Sequence, residues 1–198
     1  SGSEANNLVF ESICQHFAKE KGEIIISGIE HPSIKKSAAY AEQLGFTIIQ
    51  LVPDESGCIS VKQVEEALTE KTRLVSIMTV NNETGAYQPI QEIGELLVEH
   101  STYFHTDAVQ AIGKLEIFPK ELKIGALTAT AHKFYGPKGA GFVFIDKKYS
   151  LEKEIWGGSQ ERNRRAGTEN VHGILGLGVA LEEVYENLEK MLEKEEKL

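Results

Sequence analysis

The sequence has 198 residues, 41% of them hydrophobic and 26% charged, and a formal net charge of −9. That length buries a sizeable core and fits one domain, and the acidic balance excludes the basic footprint that nonspecific nucleic-acid binding needs. No apolar run approaches membrane-crossing length, and the opening Ser-Gly-Ser-Glu lacks the basic and apolar segments of a signal peptide.

In chain order, Ser1-Gly2-Ser3-Glu4-Ala5-Asn6-Asn7 opens a helix. Its small residues either let backbone N–H groups cup a phosphate or make an ordinary N-cap. Cys14, on that helix beside Ile13 and Phe17, reads as core filler, and Cys58, after Gly57 in a turn, as a plain exposed thiol. The two cysteines form no paired metal motif and point to a reducing compartment, so a cytoplasmic location is expected.

Glu23–Ser27 predicts a buried strand, Ser33–Leu44 a helix stopped by Gly45, Phe46–Leu51 a strand and Val61–Glu70 a helix. Arg73–Met78 predicts a strand, and Pro89 opens a helix running through His100. Thr102–Thr106, Ala126–Thr130 and Gly141–Ile145 predict three more strands. A long helix from Val171 should carry Leu175, Val179, Val184, Leu188 and Leu192 near one face, ahead of a charged helical tail over 193–198. Strands alternating with helices predict an α/β fold, three layers deep, with a mainly parallel sheet covered on both faces. Ligands of such sheets gather at the carboxyl ends of the strands.

Four polar groups fall just after predicted strands: His31, Asn82, Asp107 and Lys133. A lysine amine can form a Schiff base and a carboxylate can pair with a pyridine nitrogen, so Lys133 and Asp107 are the parts that pyridoxal 5′-phosphate requires. Taken singly, each has a plainer reading. Asp107 also suits a helix cap, Gln110 a solvated helix position, His31 a structural histidine, Asn82 a polar turn and Lys133 an exposed turn lysine. The aromatic and small flanks of Lys133 imply a partly dry pocket, and Thr130 and His132 could donate to the phosphate from the same loop. The basic loop 157–168 faces either a phosphate or a carboxylate, or only solvent.

Six ordered segments then resemble the cysteine desulfurases, class V aminotransferases of the fold-type I pyridoxal-phosphate enzymes. They are Ser1–Asn7, Glu30-His31-Pro32, Val80–Gly85, His105–Gln110, Ala131–Gly139 and Arg164–Thr168. The Asn-Asn-Glu-Thr-Gly and Gly-Pro-Lys-Gly forms look most like the housekeeping iron–sulfur-assembly branch. The resemblance implies that residues 1–198 are the cofactor-binding large domain, with an N-terminal segment and a C-terminal small domain outside them. It implies Lys133 as the cofactor lysine and His31 as the stacking acid/base. It implies Asp107 at the ring nitrogen, Gln110 and Asn82 at the ring oxygen, and Gly2, Ser3, Thr130 and His132 at the phosphate. Thr168 resembles a phosphate ligand lent across a homodimer interface.

The implied reaction takes sulfur from L-cysteine, leaving L-alanine and an enzyme persulfide that serves a sulfur-acceptor protein in iron–sulfur cluster or thiolation pathways. The persulfide cysteine and the arginine for the substrate carboxylate are expected beyond residue 198, and neither Cys14 nor Cys58 matches the former. Residues 1–198 alone are therefore not expected to complete the reaction. Ala131 and Ser159 depart from the usual pattern, and both changes are expected to be tolerated. Two alternatives remain: another class V enzyme (an aminotransferase or selenocysteine lyase), or a non-catalytic scaffold of the same fold. A generic nucleotide-binding domain is disfavoured, since no Gly-x-Gly-x-x-Gly follows a strand and there is no Walker-type loop.

Overall fold

The structure, a computed structural model, describes residues 1–150 and 152–190. Its elements are α1 (Gly2–His16), β1 (Glu23–Ser27), α2 (Pro32–Gln43), β2 (Thr47–Leu51), α3 (Val61–Ala67), β3 (Thr72–Ser76) and α4 (Ile90–Leu97). There follow β4 (Tyr103–Asp107), β5 (Ala126–Thr130), a single 3-10 turn at Ala131–Lys133, β6 (Gly141–Ile145), the one-turn α5 (Gln160–Asn163) and α6 (Val171–Glu186). The six strands form one sheet in the order β2-β1-β3-β4-β5-β6. All neighbours are parallel except β5 and β6, which run antiparallel.

Alternation along β1 explains the layering, because successive strand side chains point to opposite faces. Ile24 and Ile26 join Phe10, Ile13, Ile34, Ala38 and Leu74 under α1 and α2. Ile25 joins Val75, Phe104 and Leu127 on the other face, under Val64 of α3, Ile93 of α4 and Val184 of α6. The sheet is thus buried on both sides, as a parallel sheet with crossover helices must be. No described helix is long and apolar enough to cross a membrane.

Several expected boundaries shift for local reasons. The helix at Val61 stops at Ala67, because Thr69 N–H is taken by Thr72 Oγ1 and the Thr69 hydroxyl by Glu23. Side-chain bonds of this kind offer the backbone an alternative to another helical turn. The α4 helix is shorter than Pro89–His100, with Pro89 as its cap. In α6, Leu175 and Val179 are 64% and 62% exposed while Val184 and Leu188 are buried, so these residues do not share one face. Nine residues of helix separate Leu175 from Val184, which is two and a half turns and places them on opposite sides. Leu192 and the expected tail lie outside the described residues. Cys14 is buried, which pushes its thiol up to about 11, and Cys58 is partly buried rather than exposed, its thiol donating to the Tyr87 carbonyl.

Candidate functional site

Strand ends β1, β3, β4 and β5 and the first turn of α1 enclose one cavity of about 310 Å³. Gly2, Ser3, His31, Asn82, Asp107, Gln110, Thr130, His132 and Lys133 all line it. Thr168 does not: it is exposed in the loop after α5. Sequence reasoning missed Asn6, Ser33, Met78 and Val109, which line the same space.

Ser1 caps α1, its hydroxyl accepting Glu4 N–H at 3.3 Å, and the helix start faces the cavity through Gly2 and Ser3. First-turn N–H groups have no intrahelical acceptor, and the helix dipole favours an anion there. Gly2 lets the helix start pack closely, since a Cβ at that position would meet Val109 Cγ2 at 3.2 Å and Thr130 Cβ at 3.4 Å, so a neighbour would have to give way.

Asp107 closes β4 and is 4% exposed. Its Oδ1 accepts Val109 N–H at 3.0 Å and its Oδ2 accepts the Asn6 amide at 2.7 Å. Burial pushes this carboxyl above its ordinary range, against the opposing pull of those two hydrogen bonds. A carboxylate has lone pairs left after two such bonds, so Asp107 can still accept from a cationic N–H, which would hold it ionised.

Asn6 organises the floor of the site. Its amide also donates to Ser33 Oγ at 2.9 Å, and its carbonyl accepts the Thr128 hydroxyl. Ser33 in turn meets His31 Nδ1 through both its hydroxyl, at 2.8 Å, and its N–H, at 3.2 Å. A backbone N–H can only donate, so Nδ1 is the acceptor and the neutral ring carries its proton on Nε2. The helix cap that places His31 therefore also fixes its tautomer.

Lys133 ends the 3-10 turn after β5 and is exposed, as is Tyr135, while Phe134 between them is buried. The expected dry setting for Lys133 is not found: Phe134 alone turns into the core, so its neighbours face outward at the cavity mouth. The Thr130 hydroxyl donates to the Ala140 carbonyl at 3.0 Å, so its 3.2 Å contact with His132 Nδ1 has the ring donating. That hydroxyl proton is spent inside the fold, leaving Thr130 an oxygen facing inward rather than a free donor. Gln110 Oε1 accepts from Lys114 Nζ at 3.0 Å. In the basic loop, Arg165 Nε binds Glu4 Oε1 at 2.8 Å and ties the loop to the first turn of α1. Ala131 is fully buried.

An open-sheet cavity with an anion-binding helix start, a buried acid and an amine at its rim defines a pyridoxal-phosphate enzyme domain. The class V aminotransferase family model matches residues 1–198, and the chain belongs to that family. It is 47% identical over 193 residues to the cysteine desulfurase IscS of Clostridium botulinum, covering 98% of this chain and 49% of the relative. A putative cysteine desulfurase, IscS 1 of Bacillus subtilis, is 46% identical over the same share of this chain and 51% of its own. The chain therefore spans about half the length of the curated relatives it matches. Among solved structures, SspA in complex with cysteine superposes with a TM-score of 0.89 at 43% identity, over 92% of this chain and 53% of that one. A NifS-like protein superposes with a TM-score of 0.92 at 36% identity, over 96% and 52%. Proteins of this family depend on pyridoxal phosphate, and the donor set here fits that cofactor at both ends: unsatisfied N–H groups for its phosphate, a buried carboxyl for its ring nitrogen.

Proposed function

We propose that this chain is the cofactor-binding domain of a cysteine desulfurase. The observation that carries the reading is that Lys133, Asp107 and His31, delivered by three different strands, line a single cavity. The two relatives named as desulfurases and the cysteine-bound neighbour favour L-cysteine as substrate.

Bound pyridoxal phosphate supplies an electron sink for bond breaking at the substrate carbon. The remaining work falls to the protein. Gly2 and Ser3 N–H groups would hold the phosphate, with His132 beside them and Thr130 shaping the wall. Asp107 would favour a proton on the ring nitrogen, and Gln110 and Asn82 would help hold the ring. His31 would present a flat ring to the cofactor, its Nε2–H donating into the cavity while Nδ1 is held by Ser33. Lys133 Nζ would hold the cofactor through its amine and would accept and return a proton. The overall change balances without an added oxidant. The substrate C–S bond breaks, a new S–S bond forms to an enzyme thiol, the carbon gains a proton, and alanine leaves.

That thiol is neither Cys14, which is buried, nor Cys58, which does not line the cavity. In this reading the enzyme is a cytoplasmic homodimer, Thr168 reaches the partner's phosphate site, and the persulfide passes to an acceptor protein. The exposure of Thr168 on its own chain supports that arrangement.

The test is to incubate the chain with pyridoxal phosphate, reduce with borohydride and map the adduct by mass spectrometry. The adduct is expected on Lys133 and should vanish in Lys133→Ala. A wild-type chain that gains no adduct, or gains it elsewhere, overturns the assignment. In the whole enzyme, sulfide and alanine are expected from cysteine; amino transfer to a keto acid would favour a different class V activity.

A further inference from the structure

Beneath the cavity, the two loops that deliver His31 and Asn82 are bonded to each other. Glu30, next to His31, is 2% exposed, and its Oε1 accepts the Ser27 hydroxyl at 2.6 Å and Met78 N–H at 2.8 Å. Ser27 closes β1, and Met78 lies just past β3 at the cavity wall. A second tie runs the opposite way, with Asn81 Nδ2 donating to the Ile29 carbonyl at 2.9 Å. The Asn81 carbonyl meanwhile accepts Glu83 N–H at 3.0 Å, Thr84 N–H at 2.8 Å and the Thr84 hydroxyl at 3.0 Å, which shapes the turn around Asn82. Asn81 is 6% exposed, so both ties are shielded from water.

We infer that Glu30 and Asn81 are positioning residues, a two-way staple that fixes the His31 loop against the Asn82 loop and so sets the spacing of two cavity groups. The inference rests on reading the cavity as the cofactor site. Neither residue touches the cavity, yet each stands beside one that does. The arrangement also explains an otherwise costly feature: Glu30 Oε2 is buried without a partner among the described residues. A carboxyl retained under those conditions must be compensated by what its other oxygen holds. The charged groups facing it are Asp107 of β4, which opposes its ionisation, and Lys35 of α2, which favours it. Burial dominates and pushes the carboxyl up to about 8, so below that pH the staple is neutral.

The deciding experiment needs no cofactor. In the nitrogen-15-labelled chain, the His31 ring resonances and the amide exchange of Met78 are compared across wild type, Glu30→Gln, Glu30→Ala and Asn81→Ala. Glutamine keeps an oxygen acceptor, so exchange should stay within about threefold and the ring resonances in place. Alanine at position 30 strands Met78 N–H, and exchange there should accelerate roughly tenfold or more, with the His31 ring shifted. Asn81→Ala frees the Ile29 carbonyl and should move the His31 ring in the same way, which keeps the test decisive should Glu30→Ala fail to fold. Unchanged His31 resonances in both alanine variants would overturn the staple, as would damage in Glu30→Gln equal to that in Glu30→Ala. A parallel pyridoxal-phosphate titration should show roughly tenfold weaker binding in the alanine variants, with Glu30→Gln close to wild type. Absence of binding by the wild-type chain would overturn the cofactor reading instead, and the resonance comparison would still decide the staple.

Discussion

Two buried ionisable side chains give this protein opposing pH dependences. Glu30 keeps its proton up to about 8 in the folded chain, against an ordinary 4.5. Between those values the folded state holds a proton that the unfolded state has released, so stability falls as pH rises, by about 1.4 kcal/mol per pH unit from this group. His105, fully buried with Nδ1 on Ser76 Oγ and Nε2 without a partner among the described residues, is lowered by burial to about 3 from 6.5. Below 6.5 the unfolded state takes up a proton that the folded state refuses, so stability falls as pH drops toward 3. The two slopes oppose each other between 4.5 and 6.5, and Glu30 stands clear of His105 between 6.5 and 8. Asp107, also raised by burial, adds to the Glu30 sign. Urea unfolding across this range should therefore show Glu30→Gln losing one proton's worth of slope above pH 6.5. A variant with the wild-type slope would place the Glu30 ionisation elsewhere.

Among the elements, α4 shows how backbone contact rather than propensity sets a residue. A Cβ at Gly94 would lie 2.1 Å from the Leu122 carbonyl oxygen, inside any permitted contact. Gly94→Ala gains roughly 1 kcal/mol of helix propensity but must push α4 off the 118–123 segment. Overpacking of that kind typically costs about 1–3 kcal/mol. Denaturant unfolding should show net destabilisation; a stabilised variant would mean α4 can shift freely. The same elements show which parts of the sequence were legible. Glu23–Ser27, Ala126–Thr130 and Gly141–Ile145 are strands at their expected bounds, because an apolar run closed by turn residues leaves few alternatives. The end of α3 and the one-sided burial of α6 were not legible, since each depends on partners distant in sequence, Glu23 in one case and the 113–115 segment against Val184 and Tyr185 in the other.

For the whole molecule, the sheet divides the core in two. Phe10, on α1, packs against the sheet face that α1 and α2 cover, and Phe134 packs on the opposite face. Phe10→Leu and Phe134→Leu should each cost about 1–2 kcal/mol, and the double variant should equal their sum within about 0.5 kcal/mol. A larger departure, measured by urea unfolding, would show that the two layers communicate through the sheet. Phe134 also adjoins Lys133, so its variant alone should weaken cofactor binding.

By itself, the sequence determined the α/β class and the mainly parallel strands. Seven of the expected residues lie at or just after strand ends, which converge in such a sheet, and with Gly2 and Ser3 of α1 they line one cavity. Only the tertiary structure decided what supports them. Asn6, Ser33, Glu30 and Asn81 bond to groups on other segments, with Asn6 reaching Asp107 and Thr128 across more than a hundred residues of chain. Local pattern carries no record of such pairings: a buried amide has the same one-letter code as a solvated one, and only folding brings its partners within hydrogen-bond reach.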